Sequence, residues 1–500
     1  MLTRRRLLEI ATGTAAALSL SRLAKALAPE FPPQPQIDSD PLRPRYHLMP
    51  RRGWMNDPCA PVYFDGRYHM FFQYNPGASV WGDMHWAHAV STDMVHWTDR
   101  PIALAPTPGG PDSYGVFTGS MVLDKSTGRP VPKIVYTCVS ESTPELATIS
   151  YSKPPEREQQ CLATPTSLAA ADPDMKLDTW QKQGVVVASP PPGMHVTGFR
   201  DPTPWREADG WYMLLASGEY KRGGDVLLYK SPDLKQWQFV KVFAQGKWTG
   251  SDEKDTVNTG EMWECPDFFP LGNKHVLIHS TGTPAGRTPV WQVGTLDKST
   301  MTWTPESEGV LNHGPYYAPK TQTDAAGNRV LWGWITEDRP EAEFAKAGWA
   351  GCMSLPRVLT LDGNQLRFRL AREVNALRAG EAVPNIRDLG GPALFQNEMV
   401  LTVAKGSSAH TPQGVANAVL IVARGDGGLQ WAGKEIAFDR PLPDQFTIHA
   451  YADHSVVEVF VADRAVLTAR VYGKESPATL VLPEGYVLEG VQGYAMSSIT

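Results

Sequence analysis

The chain is predicted to be all-β, a five-bladed β-propeller followed by a C-terminal β-sandwich. Three observations carry this prediction. Most of the 500 residues read as short strands divided by Gly, Pro, Asn and Asp turns, with long helical periodicity almost absent. Five hairpin units recur along residues 45–362. Four Asp-then-Trp pairs interleave with those hairpins.

The first residues read as an address rather than as fold. Thr3-Arg4-Arg5-Arg6-Leu7-Leu8 is a twin-arginine pattern, and the apolar stretch Ile10 to Leu20 is too short to span a bilayer. Ala24-Lys25-Ala26 is a small-x-small cleavage site, so residues 1–26 are expected to be a signal peptide. The bland alternative is a basic amphipathic helix. Cleavage removes five basic residues (Arg4, Arg5, Arg6, Arg22, Lys25) and one acid, Glu9, and takes the net charge from -6 to -10. The expected location is periplasmic or extracellular.

The propeller is expected over residues 45–362. Asp57-Pro58 leads through an apolar strand to an Asp65-Gly66 turn, then Tyr68 to Phe72. Gly119-Ser120, Asp201-Pro202, Glu264-Cys265-Pro266 and Tyr317-Ala318-Pro319 open four similar units. The Asp–Trp pairs are Asp93 with Trp97, Asp174 with Trp180, Asp233 with Trp237, and Asp297 with Trp303. A single such pair is common β punctuation; four in phase with five hairpins mark a repeat. A spacing of roughly 55–80 residues is too long for a solenoid and suits four-stranded blades with long loops.

Residues 363–389 read as a linker, with Leu366 to Leu377 as a short helix. Residues 390–500 return to β patterning, as in Phe446-Ile448-Ala450 and Val457-Val459-Val461, and are expected to form a sandwich that packs on the propeller. The five cysteines (Cys59, Cys138, Cys161, Cys265, Cys352) match no metal-binding spacing and are expected to be free, mostly buried thiols.

Composition excludes several classes. Lys and Arg are scattered in an acidic chain, so no nucleic-acid partner is expected. No apolar run after residue 26 crosses a membrane. Oligomeric state has no readable signature. Sixteen Trp residues serve mainly as core, with some available to stack on sugar faces.

Equivalent positions in successive blades lie on a ring, so Asp57, Asp201 and Glu264 are expected to converge at one mouth of the channel, with Ser120 or Tyr317 offered by the other two blades. Glycoside hydrolysis needs two carboxyl groups about the scissile bond, one to protonate the leaving oxygen and one to attack the anomeric carbon or activate water. Crowding separates their pKa values. A third carboxylate can hold sugar hydroxyls. This scheme needs no metal or other cofactor. The competing readings are a calcium site, which lacks an Asp-x-Asp-x-Asp run, and turn-capping acids.

Trp54-Met55-Asn56-Asp57-Pro58 closely resembles the W-M-N-D-P signature of glycoside hydrolase family 32, the invertase, inulinase and levanase family. Arg200-Asp201-Pro202 and Trp263-Glu264-Cys265-Pro266 resemble its R-D-P and E-C motifs. Phe71 to Pro76, Trp81-Gly82-Asp83, Gly348 to Gly351, Ser354 to Arg357, and Asp453 with Ser455 to Phe460 add to the likeness, which spans about residues 45 to 495. The resemblance implies the same two-domain fold and a retaining exo-β-fructosidase acting on terminal fructose of sucrose, inulin or levan. It implies Asp57 as nucleophile, Glu264 as acid/base and Asp201 as transition-state stabiliser. It places Asn56, Gln73, Trp81, Ser120 and Arg200 about the fructose.

Two departures have expected consequences. Cys59-Ala60 replaces Asn-Gly beside the nucleophile, as in some members that transfer fructose to sugars, so fructosyl transfer is the alternative activity. Asn312-His313-Gly314 replaces an Asp-Gly and is expected to alter sites beyond the fructose pocket. A non-catalytic fructan-binding protein, or a related propeller acting on another furanoside, completes the alternatives.

Overall fold

The computed structural model describes residues 31–499 apart from 150–151, 252, 284–285, 385–394 and most of 407–441 and 473–485. The expected signal segment, residues 1–26, lies outside the described residues.

The body is all-β, built from five successive antiparallel sheets, each begun by an inner strand. The inner strands are Gly53–Pro58, Gly115–Asp124, Val196–Glu207, Glu264–Leu271 and Tyr316–Thr323. The second, third and fourth sheets have four consecutive strands each. Neighbouring inner strands pack side by side from second to third, third to fourth, fourth to fifth, and fifth to first sheet. Between sheets lie apolar layers, such as Val135, Leu162, Phe199, Met213 and Leu227 between the second and third. Burial of such side chains stabilises by roughly 1.5–3 kcal/mol each.

The ends of this array meet. Trp349–Ala350, which follows the fifth sheet's Arg329–Ile335 strand, pairs in parallel with Gly53–Pro58, Gly53 opposite Trp349 and Trp54 opposite Ala350. Gly351 has φ +74°, and a Cβ there would meet the Met55 carbonyl at 2.1 Å, so only glycine permits this approach.

Two of the four Asp–Trp pairs are one device. Asp93 Oδ1 accepts from Val95 N and His96 N at 3.1 and 2.8 Å, and the Trp97 indole donates to the Met94 carbonyl at 3.0 Å. Asp233, Leu234 and Trp237 repeat this in the third sheet. Trp180 keeps the indole half, donating to Leu177, while Asp174 pairs with Arg67 instead. Asp297 keeps the turn half, accepting from Ser299 N, while Trp303 donates to Gln292.

Two expectations fail. Residues Gln365–Leu370 are not helical but form the outer strand of the fifth sheet, paired with Arg357–Asp362; only Arg372–Leu377 is a short 3-10 turn. The alternation of Leu366 and Phe368 into the core and Arg369 out is a period of two. Cys138 and Cys161 are not free thiols but form a disulfide across adjacent strands of the second sheet, with Cα atoms 5.9 Å apart. Their 22 intervening residues form a long hairpin connection, so proximity comes from pairing and not from a spacing motif. Cys59, Cys265 and Cys352 are free and buried.

The C-terminal part holds a six-stranded sheet running Arg378–Val383, Tyr486–Met496, Gln396–Lys405, Gln445–Asp453, Val456–Val461 and Ala465–Arg470, and a smaller four-stranded sheet. The strand Val456–Val461 is buried on both faces. Val457, Val459 and Val461 join the core of this sheet, whereas Val456 and Phe460 pack into the core of the first domain. Between those two lies Glu458. Its carboxylate accepts from Leu355 N at 2.8 Å and His47 Nε2 at 3.1 Å, and it pairs with Arg357. Asp453 accepts the backbone N–H groups of Arg45, Tyr46 and His47 and the His47 Nδ1. Asn312 also faces this joint, accepting from Arg357 and Thr468 at 3.0 Å each, and His313 pairs with Leu467. The stretch Asn312-His313-Gly314 thus serves the domain contact, and none of the three borders the sugar-sized cavity described next.

Candidate active site

Each inner strand breaks register at the same level: between Met55 and Pro58, Val116 and Gly119, Arg200 and Thr203, Glu264 and Asp267, and Tyr317 and Lys320. In the last three sheets the bulge holds an X-Pro pair, where a missing N–H breaks no ladder bond. The X residues Asp201, Cys265 and Ala318 have φ of 61°, 50° and 50°. This backbone is uncommon for residues with a Cβ. The bulges turn the flanking side chains toward a common cavity of about 540 Å³.

Asp57, Asp201 and Glu264 all line that cavity, together with Asn56, Gln73, Trp81 and Arg200. Their register positions are not equivalent, as the sequence repeat suggests. Asp57 is the second bulge residue of its sheet, Asp201 the first of its own, and Glu264 precedes its bulge. The positions equivalent to Glu264 are Arg200 and Tyr317, and both contact it.

Asp57 is half-buried. Its Oδ2 accepts from Thr118 Oγ1 at 2.6 Å and from the Cys265 thiol at 3.4 Å, and its Oδ1 accepts from Asn56 Nδ2 at 3.1 Å. Asn56 is fixed in turn by the Trp54 indole at 2.8 Å. Burial raises the Asp57 carboxyl above its usual range, and the Thr118 hydrogen bond opposes this. Asp201 is buried, accepts from Cys265 N at 2.8 Å, and is pushed up to about 7 by burial, with Arg200 opposing and Glu264 and Asp57 adding. Its own N–H donates to Thr137 Oγ1 at 2.9 Å.

Glu264 is different. Arg200 Nη2 donates to its Oε1 at 2.7 Å and Tyr317 Oη to its Oε2 at 2.7 Å. Burial pushes this carboxyl up, but Arg200 and then Arg287 outweigh it and hold it below its usual range. Arg200 also donates to the buried Glu158 at 2.8 Å, so one guanidinium spans two carboxylates.

The neutral polar groups fit a hydroxylated ligand. Gln73 Nε2 donates to Thr118 Oγ1 at 3.0 Å, while its buried Oε1 has no partner among the described residues. Trp81 is 56% exposed, edge-on to Phe117, and is not a core residue. Ser120 is not brought to this cavity. It lies deeper on its strand and lines a second cavity of about 330 Å³ formed by the far ends of the inner strands. Cys59 is on that side too, its thiol 3.5 Å from the Asp57 carbonyl and not facing the first cavity.

Sequence reasoning missed Thr118, Glu158 and Arg287. Thr118 stands two residues before Ser120 on the same inner strand, and its register position was the available signal. Glu158 and Arg287 each sit in the third strand of their sheet, Glu156–Pro165 and Gly286–Asp297, outside any motif. Asp255 and Val257, from the loop after Gln238–Gln245, also border the cavity.

The family model described as the Glycosyl hydrolases family 32 N-terminal domain matches residues 47–369, and that of the family 32 C terminal matches residues 403–489. The chain is 32% identical to a sucrose-6-phosphate hydrolase of Escherichia coli, over 90% of this chain and 92% of that protein. It is 33% identical to a raffinose invertase of Escherichia coli, over 88% and 91%. Among solved structures it resembles fructan 1-exohydrolase IIa from Cichorium intybus, with a TM-score of 0.71 and 25% identity over 92% of this chain and 98% of that one. On these matches, and with the motif residues gathered about one cavity, the chain belongs to glycosyl hydrolase family 32.

Proposed function

We infer that the protein is a β-fructosidase that hydrolyses terminal non-reducing β-D-fructofuranosyl residues of sucrose or fructans, with retention of configuration. The observation that carries this is the meeting of Asp57, Asp201 and Glu264 in one cavity of a family 32 chain. Asp57 attacks the anomeric carbon of the terminal fructose while Glu264 gives its proton to the departing oxygen, forming a fructosyl ester on Asp57. Water then attacks the same carbon, Glu264 takes its proton, and the Asp57 carboxylate leaves. Asp201 holds fructose hydroxyls and offsets positive charge in the oxocarbenium-like transition state. Asn56, Gln73, Trp81 and Arg200 seat the sugar.

The five sheets, which run from Gly53 to Leu370, are taken as the blades of a five-bladed propeller, closed by the parallel pairing at Gly53, with a sandwich whose first strand is Arg378–Val383, so the expected linker 363–389 holds a strand of each part. Residues 1–26 are taken as a twin-arginine signal that sends the folded protein to the periplasm or the medium.

The test is product analysis on sucrose, sucrose 6-phosphate, inulin and levan, with Asp57→Asn as control. Fructose release that is lost in the variant supports the reading and ranks the substrates. Fructose oligomers growing from sucrose favour transfer, the reading that Cys59-Ala60 motivates. No release from any of the four overturns the proposal in favour of another furanoside or a binding role.

A further inference from the structure

Lys320 is the feature that the reaction above leaves unused. It is 2% exposed and stands on the inner strand Tyr316–Thr323, just past the bulge. Its Nζ donates to Ser120 Oγ at 3.0 Å, Thr203 Oγ1 at 2.6 Å and the Pro266 carbonyl at 2.7 Å. These acceptors come from the second, third and fourth sheets, one each. One ammonium with three N–H bonds thus ties four inner strands together on the axis, and all three donors are used.

Every one of those acceptors is neutral. Among the described residues, no carboxylate lies within ion-pair distance of Lys320. A buried ammonium without a counter-charge is costly, so the position calls for anions nearby. The catalytic layer adjoins it along the chain. Thr203 is two residues after Asp201, and Pro266 follows Cys265, whose thiol touches both Asp57 and Asp201. Cys59 on the first sheet and Cys265 on the fourth, the residues that contact Asp57 and Asp201, lie within electrostatic reach of the ammonium. Cys265, Glu264 and Asp267 belong to the fourth. The second sheet offers the hydroxyls of Thr118 and Ser120, and the fifth adds Arg329 at the lower cavity. Asp267, which lines the lower cavity with Lys320, is turned to Thr321, accepting its N–H at 2.7 Å.

We propose that Lys320 is a positioning residue: its ammonium locks the bulges that aim Asp201 and Glu264, and it supplies the positive charge beneath the catalytic carboxylates. The proposal rests on Asp57 being the nucleophile. A cation nearby favours the ionised carboxylate, so removing it raises the pKa at which Asp57 becomes competent. The acid limb of kcat/KM then moves to higher pH.

The test compares wild type with Lys320→Met, Lys320→Arg and Ser120→Asp, recording kcat/KM against pH on the best substrate and the thermal transition. Lys320→Met is expected to move the acid limb up by about one unit, a roughly tenfold loss below the limb. Lys320→Arg keeps the charge and is expected to retain the wild-type limb even where kcat falls through overpacking. Ser120→Asp keeps the lysine but gives it a carboxylate partner, and is expected to shift the limb in the same direction as Lys320→Met. A folded Lys320→Met with the wild-type limb overturns the proposal. If that variant does not fold, an unshifted limb in Ser120→Asp overturns it. Wild-type protein that releases no sugar marks failure of the fructosidase reading itself, a different outcome.

Discussion

Glu458→Gln tests how the C-terminal sheet is held to the first domain. The side chain is fully buried, and its two oxygens serve Leu355 N, His47 and Arg357, which come from two other parts of the chain. Glutamine keeps the shape but loses the charge, and its NH₂ must face either the Arg357 guanidinium or the Leu355 N–H and His47 pair. Both partners are buried, and Arg357 keeps Asn312 and the ring faces of Tyr316, 4.3 Å away, and Phe460, 5.5 Å away. Breaking a buried charge pair costs roughly 3–5 kcal/mol. Glu458 is held down to about 2, because Arg357 and His47 outweigh the burial that would raise it from 4.5. A depressed carboxyl stabilises above its unfolded pKa, and that contribution is lost as pH falls from 4.5 toward 2. His47 is raised to about 9, because Asp453 and Glu458 outweigh its burial. A raised imidazole stabilises fully below 6.5, and that contribution is lost as pH climbs through 9. Wild-type stability from this joint is therefore greatest between about pH 4.5 and 6.5. Urea unfolding across pH 3–10 is the assay. The variant is expected to lose about 3 kcal/mol or more at pH 6 and to flatten the acid slope. Its kcat/KM should stay within about twofold, since Glu458 does not line the catalytic cavity. A loss under about 1 kcal/mol with an unchanged acid slope would refute the reasoning.

Thr118→Val removes the 2.6 Å hydrogen bond that favours ionised Asp57. A bond to a charged group is worth about 1.5–3 kcal/mol, so the acid limb of kcat/KM should rise by about one unit or more, read from a pH–rate profile. Tyr317→Phe removes a 2.7 Å donor that favours ionised Glu264. The acid/base then holds its proton longer, and the basic limb should move up by about one unit while the acid limb stays. Cys138→Ser with Cys161→Ser opens a disulfide of sequence separation 23. A loop of that size is worth about 3 kcal/mol in the chain-entropy model, and the double variant should unfold at correspondingly lower urea, as reduced wild type should.

Much of the site was legible in the sequence because its residues ride on short motifs with proline beside them. Asp57, Asp201 and Glu264 are read correctly as neighbours even though the repeat assigns them one register and the bulges assign them three. A bulge adds a residue without changing the hydrophobic alternation, so the pattern hides the offset. Ser120 was misplaced for the same reason, since Thr118, two residues earlier, is the one that reaches Asp57. Lys320 was invisible because nothing in an isolated strand says that it runs beside the axis, and Glu158 because it reaches Arg200 from a third strand that carries no motif. The strand Gln365–Leu370 was misread because its charged residues at 367 and 369 lie between apolar ones, which over six residues also fits a helix end. The Glu458 motif was recognised by likeness alone. Its reason, a strand buried on both faces with a carboxylate at the joint, needed the packing.

The parallel pairing of Gly53–Pro58 with Trp349–Ala350 sets an order of events during synthesis. The strand that carries Asp57 is the first inner strand to leave the ribosome, yet its outer neighbour is made nearly three hundred residues later. Until then its free edge is exposed and its bulge is supported on one side only. Nascent chains that stop before Trp349 hold every carboxylate of the site but lack the strand that fixes the first of them. Activity should therefore emerge late and all at once as the chain lengthens.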